Sequence, residues 1–203
     1  MSRVVVGVVD YGLGNHASLI HCLRDLGFRV HLSADTTELN RTDILILPGV
    51  GTFPAAMQGL QRLNLIGYIQ KQAGRHHPVV GICLGMQLLT SFSHEIELTA
   101  GLDLIPGVVV AIPKGKWHIG WNTLVCTNGD PLFQLSDGLD FYFNHSYCYF
   151  GPENYQVCVT HFPTPFSSVI RRGNVVGIQF HPEKSQDAGK ELLRSVIMGL
   201  VDA

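Results

Sequence analysis

Residues 78–92 read Pro-Val-Val-Gly-Ile-Cys-Leu-Gly-Met-Gln-Leu-Leu-Thr-Ser-Phe. A short apolar, β-branched run (78–82) meets a Gly81-Ile82-Cys83-Leu84-Gly85 turn, and an apolar stretch of helical character follows from Leu84 to about Phe92. The pattern predicts a buried strand that turns sharply into a helix, with one side chain held at the bend. The two glycines suit that bend, because side chains two positions either side would obstruct a chain folding back on itself.

Moving toward the N-terminus, the same alternation repeats. RVVVGVV (3–9), FRVHL (28–32) and DILIL (43–47) read as strands. Asn15 to Leu26 carries Leu19, Cys22, Leu23 and Leu26 at helical spacing before Gly27, and Phe53 to Ala73 reads as helix with a break near Asn64. Strands alternating with amphipathic helices mark βαβ units on a parallel sheet, an α/β class. Beyond Gly101 the texture changes. LIPGVVVAIP, NTLVC, DFYFNHS, YQVCVT, SVIRR and VVGIQF are closely spaced strand-like runs, and Gly173-Asn174 is a two-residue hairpin link. The stretch Asp187 to Val201 closes the chain as a helix with Leu192, Leu193, Val196, Ile197 and Leu200 on one face. No linker or repeat interrupts residues 1–203, which predicts a single domain.

The bulk composition narrows the function. A net charge of −2 with no Lys/Arg run longer than two residues lacks the positive field for nucleic acid or anionic membranes. The apolar run Val4 to Val9 is too short for a signal or membrane span. Five cysteines (Cys22, Cys83, Cys126, Cys148, Cys158) with no C-x-x-C pair argue against a disulfide framework or a structural zinc site, and predict a reducing cytoplasm and no metal or cofactor.

Chemistry concentrates on Cys83. A cysteine heading a helix meets unpaired N–H groups and a dipole that favour the thiolate, and a thiol nucleophile needs a base, usually His held by a carboxylate. Among ten histidines, His181 has such a partner: His181-Pro182-Glu183 ends the run VVGIQF, and extended geometry would turn residues i and i+2 to one side. Pro182 restricts its own φ and that of His181. Acyl transfer also needs oxyanion donors. The Leu84 N–H is one candidate, and Pro48-Gly49-Val50-Gly51, leaving the third strand, offers another.

These residues resemble the class I glutamine amidotransferases, specifically the glutaminase subunit of imidazole glycerol phosphate synthase. The match runs through Asp10-Tyr11-Gly12-Leu13-Gly14-Asn15, the PGVG stretch, Gly81 to Gln87, His118-Ile119-Gly120-Trp121-Asn122, Phe141 to Tyr147, and Gln179 to Ser185. The resemblance implies a flavodoxin-like, mostly parallel central sheet flanked by helices, with a β-rich C-terminal half. It implies glutamine as substrate, a Cys83-His181-Glu183 triad and oxyanion donors from Val50 and Leu84. Gly49, Gly51, Gln87, Ser146 and Tyr147 would form the glutamine site. Asn15, Trp121, Tyr142 and Lys184 would face a (β/α)8 cyclase in a heterodimer, with ammonia crossing the joint. Trp121, in a glycine-containing loop, suits an interface anchor. Where members usually have Pro before the His of HIGWN, this chain has Trp117, a departure expected to bear on the interface and leave catalysis untouched.

Two other readings have a basis in residues. Gly12-x-Gly14-x-x-Ala17 follows a strand, opens a helix and precedes Asp35, a short dinucleotide-binding pattern. Paralogues that feed ammonia to another synthase, such as a surface-polysaccharide sugar enzyme, share the same motifs.

Overall fold

The computed structural model describes residues 4–14, 16–113 and 117–203. Strands β1 (Val5–Val9), β2 (Arg29–Ser33), β3 (Ile44–Leu47) and β4 (Val79–Ile82) alternate with helices α1 (His16–Asp25), α2 (Thr36–Leu39), α3 (Phe53–Arg62) and α4 (Leu65–Gly74). Asn64, at φ 55°, forms the expected break between α3 and α4. Helix α5 (Leu84–Leu88) follows β4 directly. The later strands are β5 (Phe92–Ser93), β6 (Thr99–Ala100), β7 (Val108–Ala111), β8 (His118–Thr123), β9 (Val125–Cys126), β10 (Asp140–His145), β11 (Tyr147–Phe150), β12 (Gln156–His161), β13 (Pro165–Arg172) and β14 (Val175–Ile178), and α6 (Gln186–Val201) closes the chain.

Among the described residues, twelve strands form one sheet with the path β2-β1-β3-β4-β14-β13-β11-β7-β5-β6, and β12 joins β13 to β9. The first five positions are mutually parallel. From β13 onward the pairing is mostly antiparallel, with β5 and β7 the parallel exception. Strands β8 and β10 make a separate antiparallel ribbon.

Both faces of the parallel part are buried, which is why its strands are apolar without alternation. Successive side chains go to opposite sides. Val6, Val8, Ile44, Ile46, Val80 and Ile82 pack with Leu19 and Leu23 of α1 and with Leu192, Leu193, Val196 and Ile197 of α6. Leu45, Leu47 and Val79 pack with Phe53 and Leu60 of α3 and Leu65 and Ile69 of α4. The helices thus cover both faces and leave the strand ends free to carry chemistry.

Three local expectations need correction. Helix α5 stops at Leu88 rather than near Phe92, because the returning chain caps it. The Leu88 carbonyl accepts from Leu102 N (2.8 Å), that of Leu89 accepts from Leu104 N and Ile105 N (2.9 and 3.0 Å), and Thr90 Oγ1 donates to the Gln87 carbonyl (2.8 Å). Trp121 is not in a loop; HIGWN is strand β8, paired with DFYFNH across the ribbon. The last parallel strand ends at Ile178, so His181 and Glu183 meet through a 3-10 turn over Pro182–Lys184 and not along an extended run.

The bend at Cys83 has a tight steric floor. A Cβ on Gly85 would lie 1.8 Å from the Leu47 carbonyl oxygen, and one on Gly81 would lie 2.4 Å from that of Gly85. Backbone cannot move aside as a side-chain tip can. Gly85→Ala is therefore expected to cost about 3 kcal/mol or more of stability. Gly67→Ala, in a helix with open space around it, should gain about 0.5 kcal/mol. Thermal unfolding of the two variants checks the opposite signs.

Candidate active site

Strands β3, β4 and β14 are neighbours in the sheet and run the same way. Their carboxyl ends therefore release Pro48–Gly51, Cys83 and Gln179–Glu183 side by side. Cys83 is the N-cap of α5 with φ 54° and ψ −109°, a conformation that costs about 1–3 kcal/mol for a residue with a Cβ. Its N–H donates to the Ile178 carbonyl (2.7 Å), which ties the bend to β14. With only one and a half turns behind it, α5 lends a smaller dipole than a long helix would.

His181 is held from several directions. Its N–H donates to the Tyr142 carbonyl (2.8 Å), and its carbonyl accepts from Ser185 Oγ (2.7 Å). Ser185 Oγ also accepts from Tyr142 N (2.9 Å), so β10 and the turn are stitched together. The ring Nδ1 lies 2.8 Å from Glu183 Oε1, with the two side chains only 5% and 6% exposed. Burial alone would lower the His181 pKa. The negative charge and hydrogen bond of Cys83, and then those of Glu183, outweigh it and push the imidazole up to about 10. The ring is a cation at neutral pH, hydrogen-bonded to a carboxylate and facing a sulfur. Glu183 Oε2 is buried and has no partner among the described residues.

An open cavity of about 300 Å3 lies over the sulfur. Val50, Gly51, Cys83, Leu84, Gln87, Ser146, Tyr147 and His181 all line it, joined by Glu95, Trp117, Ile119, Asn144 and His145. Gly49 sits behind them on a void of about 10 Å3 with His181, Glu183 and Lys184. It packs close to Tyr11, whose hydroxyl donates to the Pro48 carbonyl and so anchors the PGVG stretch.

The segment between β10 and β11 is fixed by a chain of neutral histidines. The Tyr147 carbonyl can only accept, so His145 Nδ1 (2.8 Å) carries the proton there and its Nε2 accepts from His118 Nδ1 (3.0 Å). Asn122 Nδ2 then donates to His118 Nε2 (3.2 Å). Burial lowers His118 to about 4 and, with the nearby His118 and His181 charges opposing the Tyr147 carbonyl, takes His145 to about 3. The His118 ring is sandwiched between Phe143 and Phe162, at 4.5 and 4.2 Å.

Several of these residues carried no sequence signal. Among the described residues, Glu95 is the one carboxylate on the cavity wall; its Oε2 accepts from Phe53 N (2.7 Å), and burial raises its pKa against that bond. It stands on a loop with no motif. Trp117 lines the cavity at 72% exposure, so the expectation that it bears on an interface alone is incomplete. Trp121 and Tyr142 pair across the ribbon with ring centroids 6.1 Å apart, and Lys184 Nζ lies 5.9 Å over the Tyr142 ring. These three make one surface; Asn15 lies outside the described residues. Asp35 is the N-cap of α2, its Oδ1 accepting from Thr37 N (2.7 Å), so the acidic residue of the dinucleotide pattern has a local structural role.

Residues 7–199 match the family model for glutamine amidotransferase class-I. Imidazole glycerol phosphate synthase subunit HisH of Moorella thermoacetica is 43% identical over 195 residues, covering 94% of this chain and 92% of that one. The HisH subunit of Streptococcus gordonii is 43% identical over 190 residues, covering 92% of each. Among solved structures, PurLQS from Thermotoga maritima superposes with TM-score 0.79 at 23% identity, covering 98% of this chain and 99% of that chain. A glutamine amidotransferase of the same organism gives 0.72 at 18% identity, with full coverage of both. The chain belongs to the class I glutamine amidotransferase family and is an enzyme of that class.

Because Glu183 favours the imidazolium, Glu183→Gln is expected to lower the His181 titration relative to the wild type, read by NMR of the ring carbons. The sign for stability follows. The folded value lies above the ordinary 6.5, so the contribution is complete below pH 6.5 and is lost as the pH rises through about 10.

Proposed function

We propose that this chain is the glutaminase subunit of an imidazole glycerol phosphate synthase, hydrolysing glutamine to glutamate and ammonia through Cys83, His181 and Glu183. The observation that carries the catalytic assignment is the 2.8 Å His181–Glu183 pair beside a cysteine at a strained bend, with Cys83 and His181 on the wall of one cavity and Glu183 behind them. The names of relatives that align over nearly the whole chain support the particular synthase.

The chemistry follows from the charges. Glutamine enters with its ammonium group toward Glu95 and the Gln87 side-chain oxygen. Gln87 Nε2 is committed to the Tyr147 carbonyl (3.0 Å) and to Gln179 (3.2 Å), so its Oε1 is the free acceptor. Backbone donors around Ser146 and Tyr147 take the α-carboxylate. The Cys83 sulfur attacks the side-chain amide carbon, and the Val50 and Leu84 N–H groups receive the oxyanion. His181, charged beforehand, protonates the departing ammonia and then, neutral, takes a proton from the water that cleaves the thioester. Glu183 holds the ring in register throughout.

Ammonia made here serves a second enzyme. The surface of Trp121, Tyr142 and Lys184 adjoins the catalytic turn, and its half-exposed indole suits a docking anchor. The partner is a (β/α)8 cyclase forming a heterodimer in the cytoplasm, with ammonia passing from the cavity into the barrel. No described helix is long and apolar enough to cross a membrane.

In the complex with the synthase, Cys83→Ala is expected to abolish glutamine-dependent product while ammonium salts still support it. Retained glutamine use would remove Cys83 from the mechanism. The isolated chain is expected to turn over glutamine at least tenfold more slowly than the complex, as gating by a partner implies; equal rates in a coupled glutamate assay would contradict this.

A further inference from the structure

Gln179 is fully buried and lies one residue beyond Ile178, whose parallel partner is Ile82. It therefore stands beside Cys83, 96 positions away in sequence, at the ends of adjacent strands. Its Nε2 lies 3.9 Å from Cys83 Sγ, and its Oε1 lies 3.2 Å from Gln87 Nε2.

The neighbours decide which way both amides point. The Tyr147 carbonyl can only accept, so Gln87 presents its nitrogen there at 3.0 Å. The second hydrogen on that nitrogen needs an acceptor, which is Gln179 Oε1. The Gln179 nitrogen is thereby turned toward the sulfur. Among the described residues, the one acceptor near Sγ is the Asn144 carbonyl at 3.8 Å, which only the protonated thiol can use. The donors are His181 and Gln179, and donors favour the charged form.

The geometry points to Gln179 as a further catalytic residue: its side-chain N–H bonds the Cys83 sulfur, keeps it aimed at the cavity, supports the negative charge it must carry to attack and, through Gln87, links that hold to bound substrate. An ammonium group accepted by Gln87 Oε1 polarises the amide, strengthens its N–H bond to Gln179, and strengthens in turn the bond from Gln179 to sulfur. The inference rests on Cys83 being the nucleophile of the proposed function. It adds a neutral donor that His-Pro-Glu does not contain.

The test uses the full chain, alone and with its synthase. Gln179→Met keeps the length of the side chain and removes the donor; Gln179→Asn keeps an amide but withdraws it from the sulfur. Losing a hydrogen bond to a charged group predicts a roughly tenfold to hundredfold fall in kcat with glutamine. KM should stay within about threefold, since the contact is to the enzyme's own sulfur. Ammonium-driven synthesis should persist. Without substrate, carbamidomethylation of Cys83 by iodoacetamide at neutral pH, followed by peptide mass spectrometry, should slow by about tenfold. A folded variant with wild-type alkylation and wild-type kcat, or with a change in KM alone, overturns the inference. If Gln179→Met does not fold, Gln179→Asn is read by the same criteria; failure of both to fold assigns Gln179 to structure and also overturns it. A Cys83→Ala enzyme that still uses glutamine would refute the parent reading instead, so the two failures are distinct.

Discussion

The parallel pairing of β4 with β14 is the constraint on which the site depends. Val79–Ile82 and Val175–Ile178 align residue for residue. The Cys83 N–H continues the ladder onto the Ile178 carbonyl. A slip of one residue would exchange the faces of every side chain on the strand. Cys83 would then leave the end of the sheet where His181 waits, and a side chain would replace Gly177, where a Cβ would meet Met86 and Ile170 at 2.7 and 2.9 Å. The strain at Cys83 is tolerable because this ladder and the packing of both sheet faces over-determine the bend.

Charge is sorted within a short distance around that bend. His181 stays protonated because a sulfur and a carboxylate flank it, whereas His118 and His145, buried among aromatic rings, stay neutral. The same imidazole chemistry therefore serves two purposes. In the proposed reaction one ring carries a proton; the others pass fixed hydrogen bonds along to the Tyr147 carbonyl and shape the cavity wall. A charge on His145 would sit beside the His181 cation, which is a further reason for its low affinity for protons.

What the sequence made legible divides along the range of the interactions. Strands β1 to β4 and helices α1, α3, α4 and α6 could be read because period-2 and period-3.6 patterns are local, and the G-x-C-x-G bend because its steric demand falls within a few residues; the four-residue α2 is too short to carry such a period. The His181–Glu183 contact was legible as a pair but not as a 3-10 turn, since that turn is set by Ser185 and Tyr142 from outside the motif. Glu95, Trp117 and His145 were not legible as cavity residues. Their positions follow from how the loop after β5, the residue before β8 and the end of β10 fold over the sheet end, and no spacing in the chain encodes that. The early end of α5 has the same origin, as its carbonyls are taken by residues 102–105.

Of the five cysteines, the proposed reaction needs the one at the bend to be the sulfur that meets the glutamine side chain. The most direct measurement is peptide mass mapping after incubating the chain and its synthase with a diazoketone analogue of glutamine. A single adduct on Cys83, suppressed by excess glutamine, is expected. An adduct on Cys22, Cys126, Cys148 or Cys158 in its place, or none while glutamine is being consumed, would contradict it.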